Sequence, residues 1–287
     1  MTSGAAIEAA RAAGRAALVG YLPVGFPDVA GSVAAARAMV EGGVDVVELG
    51  LPYSDPLMDG PVIARAVDTA LRRGTRTRDV LTAVGQVAAV GAPVLVMTYW
   101  NPVDRYHVDR FAADLAAAGG AGLITPDLIP DEADDWIAAS DAHALERIFL
   151  VAPSSTDARL RRTVAACRGW VYAASTMGVT GIRSQVGGQA AALVGRTRAA
   201  GAALVCVGLG VSTGDQAAVV AGYADGVIVG SAFVRALAEA PDPAAGRDAV
   251  RRLAAELAEG VRRGRRGRAE RVDAAALGAA TTGGSRG

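Results

Sequence analysis

A chain of 287 residues that is 52% hydrophobic and 20% charged can bury a large core, and its length suits one α/β barrel. Its 29 acidic residues balance 29 basic ones, so no net charge steers it toward nucleic acid or an anionic membrane. Every basic residue is arginine, which excludes lysine-based catalysis, and with aromatics at only 5% the core must be built from Ala, Val, Leu and Ile.

The first stretch is Ala-rich but carries Glu8, Arg11 and Arg15. A secretory signal needs an uninterrupted apolar segment, so none is expected here. Short apolar runs then alternate with Ala/Arg/Glu segments of helical character. The runs are Ala17–Leu22, Val44–Leu49, Pro93–Thr98, Gly122–Thr125, Arg147–Val151, Trp170–Ala174, Ala203–Gly208 and Gly226–Val229. Continuous rather than alternating apolar character implies strands buried on both faces, as in parallel sheets. Strand-then-helix repeated eight times is the sequence form of a closed (β/α)₈ barrel. An open doubly wound sheet is the rival, weakened because no Gly-x-Gly-x-x-Gly follows the first run.

Helix signals fall between the runs. Asp28 is placed to cap a helix through Ser32–Val40, with Gly42 or Gly43 stopping it. Pro130, Asp131 and Glu132 make a start for a helix over Glu132–Ala139. Asp157–Ala166 reads as a helix ending before Gly169, and Ser212 as the cap of one through Asp215–Ala221. The longest loops follow run two (Gly50–Pro61) and run six (Ser175–Gly188), on the side where barrels carry their catalysis. Residues 1–262 are expected to form one domain. Residues 263–287, which include most of the Arg262–Arg268 cluster, lose apolar periodicity and are expected to be a disordered, solvated tail. No apolar run approaches the ~20 residues that span a bilayer.

Candidate chemistry begins with two carboxylates in one Gly/Pro-rich stretch. Glu48 ends the apolar run Val46-Val47-Glu48-Leu49, where burial would raise its pKa and suit it to give and take protons. Taken alone, an acid paired with arginine or capping a helix is the commoner role. Asp59 lies in the loop that follows, and Asp-Gly is also an ordinary turn pair. Gly208-Leu209-Gly210 after run seven and Gly230-Ser231 after run eight could cradle a phosphate on backbone N–H groups, with Gly178-Val179-Thr180-Gly181 as a further donor set. Each is also an ordinary turn. Tyr21, Met97, Tyr99 and Tyr172 stand near run ends, where they either fill core or sandwich a flat apolar ligand. Cys167, Cys206, His107 and His143 lack zinc-site spacing and a nucleophile–base pairing, so a reduced cytoplasmic protein without metal is expected. Acid–base catalysis on a phosphorylated substrate is what remains.

The stretch Glu48-Leu49-Gly50-x-Pro52-x-Ser54-Asp55-Pro56-x-x-Asp59-Gly60-Pro61 resembles the signature of the tryptophan synthase alpha chain family. The resemblance continues through Tyr99-x-Asn101-Pro102, Pro126-Asp127-Leu128, Tyr172, Gly178-Val179-Thr180-Gly181, Gly208-x-Gly210 and Gly230-Ser231, over roughly residues 7–260. It implies a (β/α)₈ TIM barrel with an extra N-terminal helix and extra helices around the barrel. It implies cleavage of indole-3-glycerol phosphate to indole and glyceraldehyde 3-phosphate. Glu48 would be the catalytic acid/base, and Asp59 would hold the indole N–H. Tyr21, Ile63, Met97, Tyr99 and Tyr172 would surround the substrate. Gly181, Gly208, Gly210, Gly230 and Ser231 would hold its phosphate, and Thr180 would tie the two long loops together near Asp59.

The resemblance also implies an α₂β₂ complex in which indole passes to a beta chain, docked around Pro52, Asn101 and Pro130. Pyridoxal phosphate is expected in that partner and no cofactor in this chain. A stand-alone lyase and a non-catalytic activator of the beta chain are the alternatives. The chain departs from the family pattern at Ala64, at Leu209 and in Leu22-Pro23-Val24-Gly25-Phe26-Pro27.

Overall fold

The structure is a computed structural model that describes residues 1–175, 183–208 and 210–282; the side chains of residues 183–187 and 265–282 lie outside that description. The apolar runs form eight strands: β1 Ala17–Pro23, β2 Val46–Gly50, β3 Val94–Met97, β4 Gly122–Thr125, β5 Glu146–Val151, β6 Val171–Ala174, β7 Val205–Gly208 and β8 Gly226–Val229. All neighbours pair in parallel in chain order, and β8 returns to β1 to close the barrel. Every residue of β1, β2, β4 and β8 is buried, which is why these strands carry unbroken apolar runs.

Twelve α-helices surround the strands among the described residues: α1 Ser3–Ala12, α2 Val29–Glu41, α3 Pro61–Arg72, α4 Thr77–Ala88, α5 Trp100–Tyr106, α6 Val108–Ala117, α7 Asp134–Ala142, α8 Asp157–Ala166, α9 Arg183–Ala199, α10 Gly214–Ala221, α11 Ser231–Ala238 and α12 Pro243–Thr282. None is long and apolar enough to cross a membrane among the described residues. The expected domain end at 262 falls inside α12. Most of the tail expected over 263–287 continues in α12 as far as Thr282, and residues 283–287 lie outside the described residues.

The core has two layers. Outward-facing strand residues such as Leu18, Leu22, Val47, Leu49 and Val96 pack under the helices with Phe111, Trp136, Leu160 and Phe233. Inward-facing residues Val19, Val46, Leu95, Ile124, Ile148, Trp170, Cys206 and Ile228 fill the barrel itself. Ala6, Ile7 and Ala10 of α1 join that inner cluster from the N-terminal end of the barrel.

Glu146 fixes this plug. It opens β5, and its carboxylate accepts hydrogen bonds from Ser3 N (2.7 Å), Ser3 Oγ (2.6 Å) and Gly4 N (2.9 Å). The two amides belong to the first turn of α1, which has no intrahelical acceptor for them, and the helix dipole favours an anion there. Trp170 Nε1 donates to the same Ser3 Oγ at 2.9 Å. Beside it, Asp45 takes both ends of the Arg15 guanidinium at 2.7 Å and the Leu18 amide at 2.8 Å. The N-terminal end of the barrel is therefore closed, and its mouth is the C-terminal face.

Local signals were obeyed with two corrections. Asp28 caps α2 through Gly31 N (2.7 Å), as its position implies. The helix expected over Glu132–Ala139 is instead a single 3₁₀ turn, Pro130–Glu132, followed by α7 from Asp134. The break comes at Ala133, whose backbone leaves the helical region (φ −105°, ψ 13°). Thr213, not Ser212, caps α10, because Thr213 is the extended residue whose Oγ1 reaches Gln216 N at 3.3 Å. Ser212 is one position too early, and its N and Oγ both donate to Gln216 Oε1.

Replacing Glu146 with alanine strands three buried donors. Glu146→Ala is expected to lose about 3 kcal/mol of stability, read as a lower urea midpoint at unchanged m-value. Glu146→Gln, which keeps an acceptor, is expected to lose less.

Candidate active site

Period-two alternation aims one residue per strand end into the mouth. Tyr21 follows Val19 on β1, Glu48 follows Val46 on β2, Met97 follows Leu95 on β3, Tyr172 and Ala174 follow Trp170 on β6, and Gly208 ends the inward row of β7. These residues line a cavity of about 610 Å³ at the C-terminal face. The loop after β2 and the start of α3 add Asp59 and Ile63, the loop after β3 adds Tyr99, and the turn after β8 adds Gly230 and Ser231.

Glu48 is fully buried, and neither carboxylate oxygen has a hydrogen-bond partner among the described residues. Burial disfavours its charged form and pushes its pKa up to about 8. No arginine partner or helix cap that would make it a structural acid is present among the described residues. It stands beside Tyr21 in the β1–β2 register and beside Leu95 in the β2–β3 register.

Asp59 is half-buried at the rim. Burial raises its pKa, and the Tyr99 hydroxyl opposes that by donating to Asp59 Oδ1 at 3.2 Å. Tyr99 Oη in turn accepts from Met58 N at 2.9 Å, so one phenol ties the β2 loop to β3. Burial first, then the Asp59 charge, hold that phenol protonated, at about 12. Tyr53 packs on the Tyr99 ring with centroids 5.4 Å apart.

The opposite side of the mouth is built from glycines and a helix start. Ser231 opens α11, and Gly230 is its N-cap. Free first-turn amides and the helix dipole make this end suited to an anion. Gly210 has φ +67°, a left-handed conformation that favours glycine. Gly208 leaves the space that the Tyr172 hydroxyl occupies; a Cβ there would overlap it. Burial raises the pKa of Tyr172, with the charge of Glu48 adding to the effect.

Thus Tyr21, Glu48, Asp59, Ile63, Met97, Tyr99, Tyr172, Gly208, Gly210, Gly230 and Ser231 share one cavity. Thr180 and Gly181 lie outside the described residues, as do Gly178, Val179 and Leu209. Pro52, Asn101 and Pro130 do not line it: Pro52 is buried, Asn101 exposed on α5, and Pro130 half-buried in the 3₁₀ turn. Ala64 is half-buried on α3. Leu51, Met58, Leu150, Ser175 and Ile228 also line the cavity and were not singled out in the sequence. The inward alternation from Gly226 was a signal for Ile228, and that from Ile148 for Leu150. No group of three or more His, Cys, Asp or Glu that could hold a metal occurs among the described residues.

A family model described as "Tryptophan synthase alpha chain" matches residues 7–262. A relative of that name from Acidothermus cellulolyticus is 62% identical over 260 residues, 91% of this chain and 97% of that protein. One from Thermobifida fusca is 62% identical over 256 residues, 88% of this chain and 95% of that protein. The fold is similar to a chain of Mycobacterium tuberculosis tryptophan synthase, with a TM-score of 0.84, 61% identity, and coverage of 91% of this chain and 98% of that one. Tryptophan synthase subunit alpha from Legionella pneumophila gives a TM-score of 0.82 at 31% identity, covering 91% and 98%.

The Glu48 carboxyl carries a measurable signature. Its pKa in the fold, about 8, lies above the ordinary 4.5, so ionisation costs more in the folded than in the unfolded chain. Its contribution is most favourable below pH 4.5, is lost as pH rises toward 8, and is constant above that. Glu48→Gln is expected to remove this dependence and to gain about 5 kcal/mol over the wild type between acid and alkaline pH, at ~1.4 kcal/mol per pH unit. Urea unfolding of both proteins from pH 5 to 9 measures it; parallel curves would contradict an uncompensated carboxyl.

Proposed function

The chain belongs to the tryptophan synthase alpha chain family, and we propose that Glu48 and Asp59 divide the chemistry of that family's reaction between them. The chain is the carbon–carbon lyase that cleaves indole-3-glycerol phosphate to indole and D-glyceraldehyde 3-phosphate. The observation that carries the residue assignment is a buried, unpartnered carboxyl facing the same cavity as a second, rim carboxylate.

The indole ring is a poor leaving carbanion, so it must be protonated at C3 before the bond to the glycerol chain breaks. With a pKa near 8, Glu48 holds a proton at neutral pH and can donate it. Protonation turns the ring into an iminium whose positive charge sits at N1. Asp59, oriented by the Tyr99 hydroxyl, accepts the N–H and stabilises that charge. Loss of the proton from the hydroxyl beside the scissile bond then gives the aldehyde and returns the bonding pair to indole. Met97, Ile63 and the Tyr21 and Tyr172 rings give the indole an apolar wall. Gly208, Gly210, Gly230 and Ser231 hold the phosphate through amides and a hydroxyl; Gly181, expected with them, and Thr180, expected to tie the two long loops near Asp59, lie outside the described residues.

A beta chain fits as the partner, and we place its docking face around Pro52 in the β2 loop, Asn101 at the start of α5 and Pro130 in the 3₁₀ turn before α7. Leu57 and Met58 are 81% and 55% exposed there, and a large exposed apolar pair favours a covered surface. The proposed assembly is α₂β₂. This chain has no lysine to form a Schiff base, so pyridoxal phosphate is assigned to the partner, where it would supply the chemistry that joins indole to serine.

Indole release from indole-3-glycerol phosphate, measured with and without a beta chain, tests the assignment. Glu48→Gln is expected to abolish turnover, a loss of at least about 10³-fold, while substrate still binds. Asp59→Asn is expected to lose about 10²-fold through weakened charge stabilisation. Substantial turnover by Glu48→Gln would remove Glu48 from its role, and an unchanged rate on adding the beta chain would remove the activating partner.

A further inference from the structure

We propose that the Tyr21 hydroxyl is a catalytic proton relay, carrying the proton of the substrate's chain hydroxyl, on the carbon bonded to indole C3, back to Glu48. The proposal rests on the lyase reading of the site.

Stereoelectronics creates the need. Once C3 is protonated, the new C–H bond and the breaking C–C bond lie on opposite faces of the ring, because the breaking bond must align with the iminium π system. A carboxyl that protonates one face is poorly placed for a hydroxyl leaving on the other. A group beside Glu48 and toward the phosphate end can join the two.

Tyr21 flanks that place: its hydroxyl does not hydrogen-bond Glu48 in the structure, and the relay forms as the two draw together around the substrate. Its Cα is the register partner of Glu48 across β1 and β2, strands that lie ~4.8 Å apart. One edge of its ring packs at Gly230, where a Cβ would come within 3.0 Å of Tyr21 Cδ1. Gly230 is the N-cap of α11, at the phosphate end of the cavity. The other end of the ring lies over Gly50, and a Cβ on Gly50 would overlap the Tyr21 hydroxyl. Gly50 is the next inward residue above Glu48 on β2, ~6–7 Å further up the strand. The glycol chain of the substrate must run between these two ends.

The hydroxyl is also uncommitted. Tyr99 Oη is engaged by Asp59 and Met58, whereas Tyr21 Oη hydrogen-bonds no group among the described residues. Tyr21 feels the charges of both Asp59 and Glu48; Tyr172 feels Glu48 but not Asp59. Burial, the largest effect, keeps the Tyr21 phenol protonated, which suits a relay and not a free base.

The step balances. Glu48 gives its proton to C3 and is left a carboxylate. The chain O–H proton moves to Tyr21 Oη as the Tyr21 O–H proton moves to Glu48. The O–H electron pair becomes the aldehyde π bond, the C–C pair becomes the C2=C3 bond of indole, and the iminium π pair returns to N1. Tyr21 ends as a phenol and Glu48 as an acid, ready for another turnover.

Tyr21→Phe in the full chain, assayed with a beta chain, tests the relay by steady-state kinetics on indole-3-glycerol phosphate and by the affinity of indole-3-propanol phosphate, which lacks the chain hydroxyls. The relay predicts a fall in kcat of about 10²-fold, with the Kd of the hydroxyl-free analogue unchanged within about twofold. A kcat within about twofold of an active wild type overturns it. So does an analogue Kd that weakens in step with kcat, since the ring would then be acting only by packing. Absence of cleavage by the wild type would overturn the lyase reading and the relay with it.

Discussion

Glu48 puts a titratable group in a fully buried position where no donor among the described residues meets either of its oxygens. Its free energy is therefore set by burial alone, and the proton is retained into the neutral range. The rest of the site can be understood as what such a group requires. It needs a rigid strand to hold it, neighbours that do not neutralise it, and a second charge that is active only when substrate arrives. Strand β2, between β1 and β3 in a closed barrel, supplies the first. The phenols of Tyr21 and Tyr172, kept neutral by the same burial, supply the second. Asp59, on a loop and half exposed, supplies the third.

Space at the mouth is produced by subtraction. Below Glu48 the inward rows are filled by Val19, Val46, Leu95, Ile148 and Cys206. Above it the rows of β2, β7 and β8 continue with Gly50, Gly208 and Gly230. Two of these vacated volumes are taken by hydroxyls of tyrosines reaching across from neighbouring strands. The result is a cavity whose floor is closely packed and whose walls carry hydroxyls and amides, without a cation among the lining residues. An anion bound there depends on oriented amides and a helix start, which cost no reorganisation when it arrives.

Much of this was legible in the sequence because the strands are buried on both faces. All eight runs became strands, with ends shifted by no more than two residues, since a continuous aliphatic run admits few alternatives once helical segments flank it. The acids were legible as types and spacing, and the signature around them supplied the roles proposed for them. What could not be read was partnership across distance. From its neighbours alone, Glu48 could equally be an ordinary strand-end acid, because the sequence does not show that no described residue partners it. The Tyr99 bond to Asp59 joins residues 40 positions apart. Glu146 escaped notice because the fifth run was read from Arg147, and its partners Ser3 and Gly4 stand 143 and 142 positions earlier. The misplaced cap at Ser212 and the late start of α7 are smaller failures of the same kind: adjacent residues compete for one role, and backbone angles decide between them.

The barrel contains a control for its own active site. Glu146 and Glu48 are both buried glutamates on strands, and both side chains enter the inner space of the barrel. At the closed end, Glu146 is met by two helix amides and a hydroxyl, which compensate its removal from water and make it part of the scaffold. At the open end, Glu48 is met by nothing comparable among the described residues. A fold able to satisfy one buried carboxylate fully has no geometric obstacle to satisfying another, so the missing donors at Glu48 are a specific feature of that end. Compensation there would lower its pKa and remove the proton that the proposed mechanism takes from it. The instability of an unpaired acid and the reactivity of the site are thus one property, located by the difference between the two ends of the same barrel.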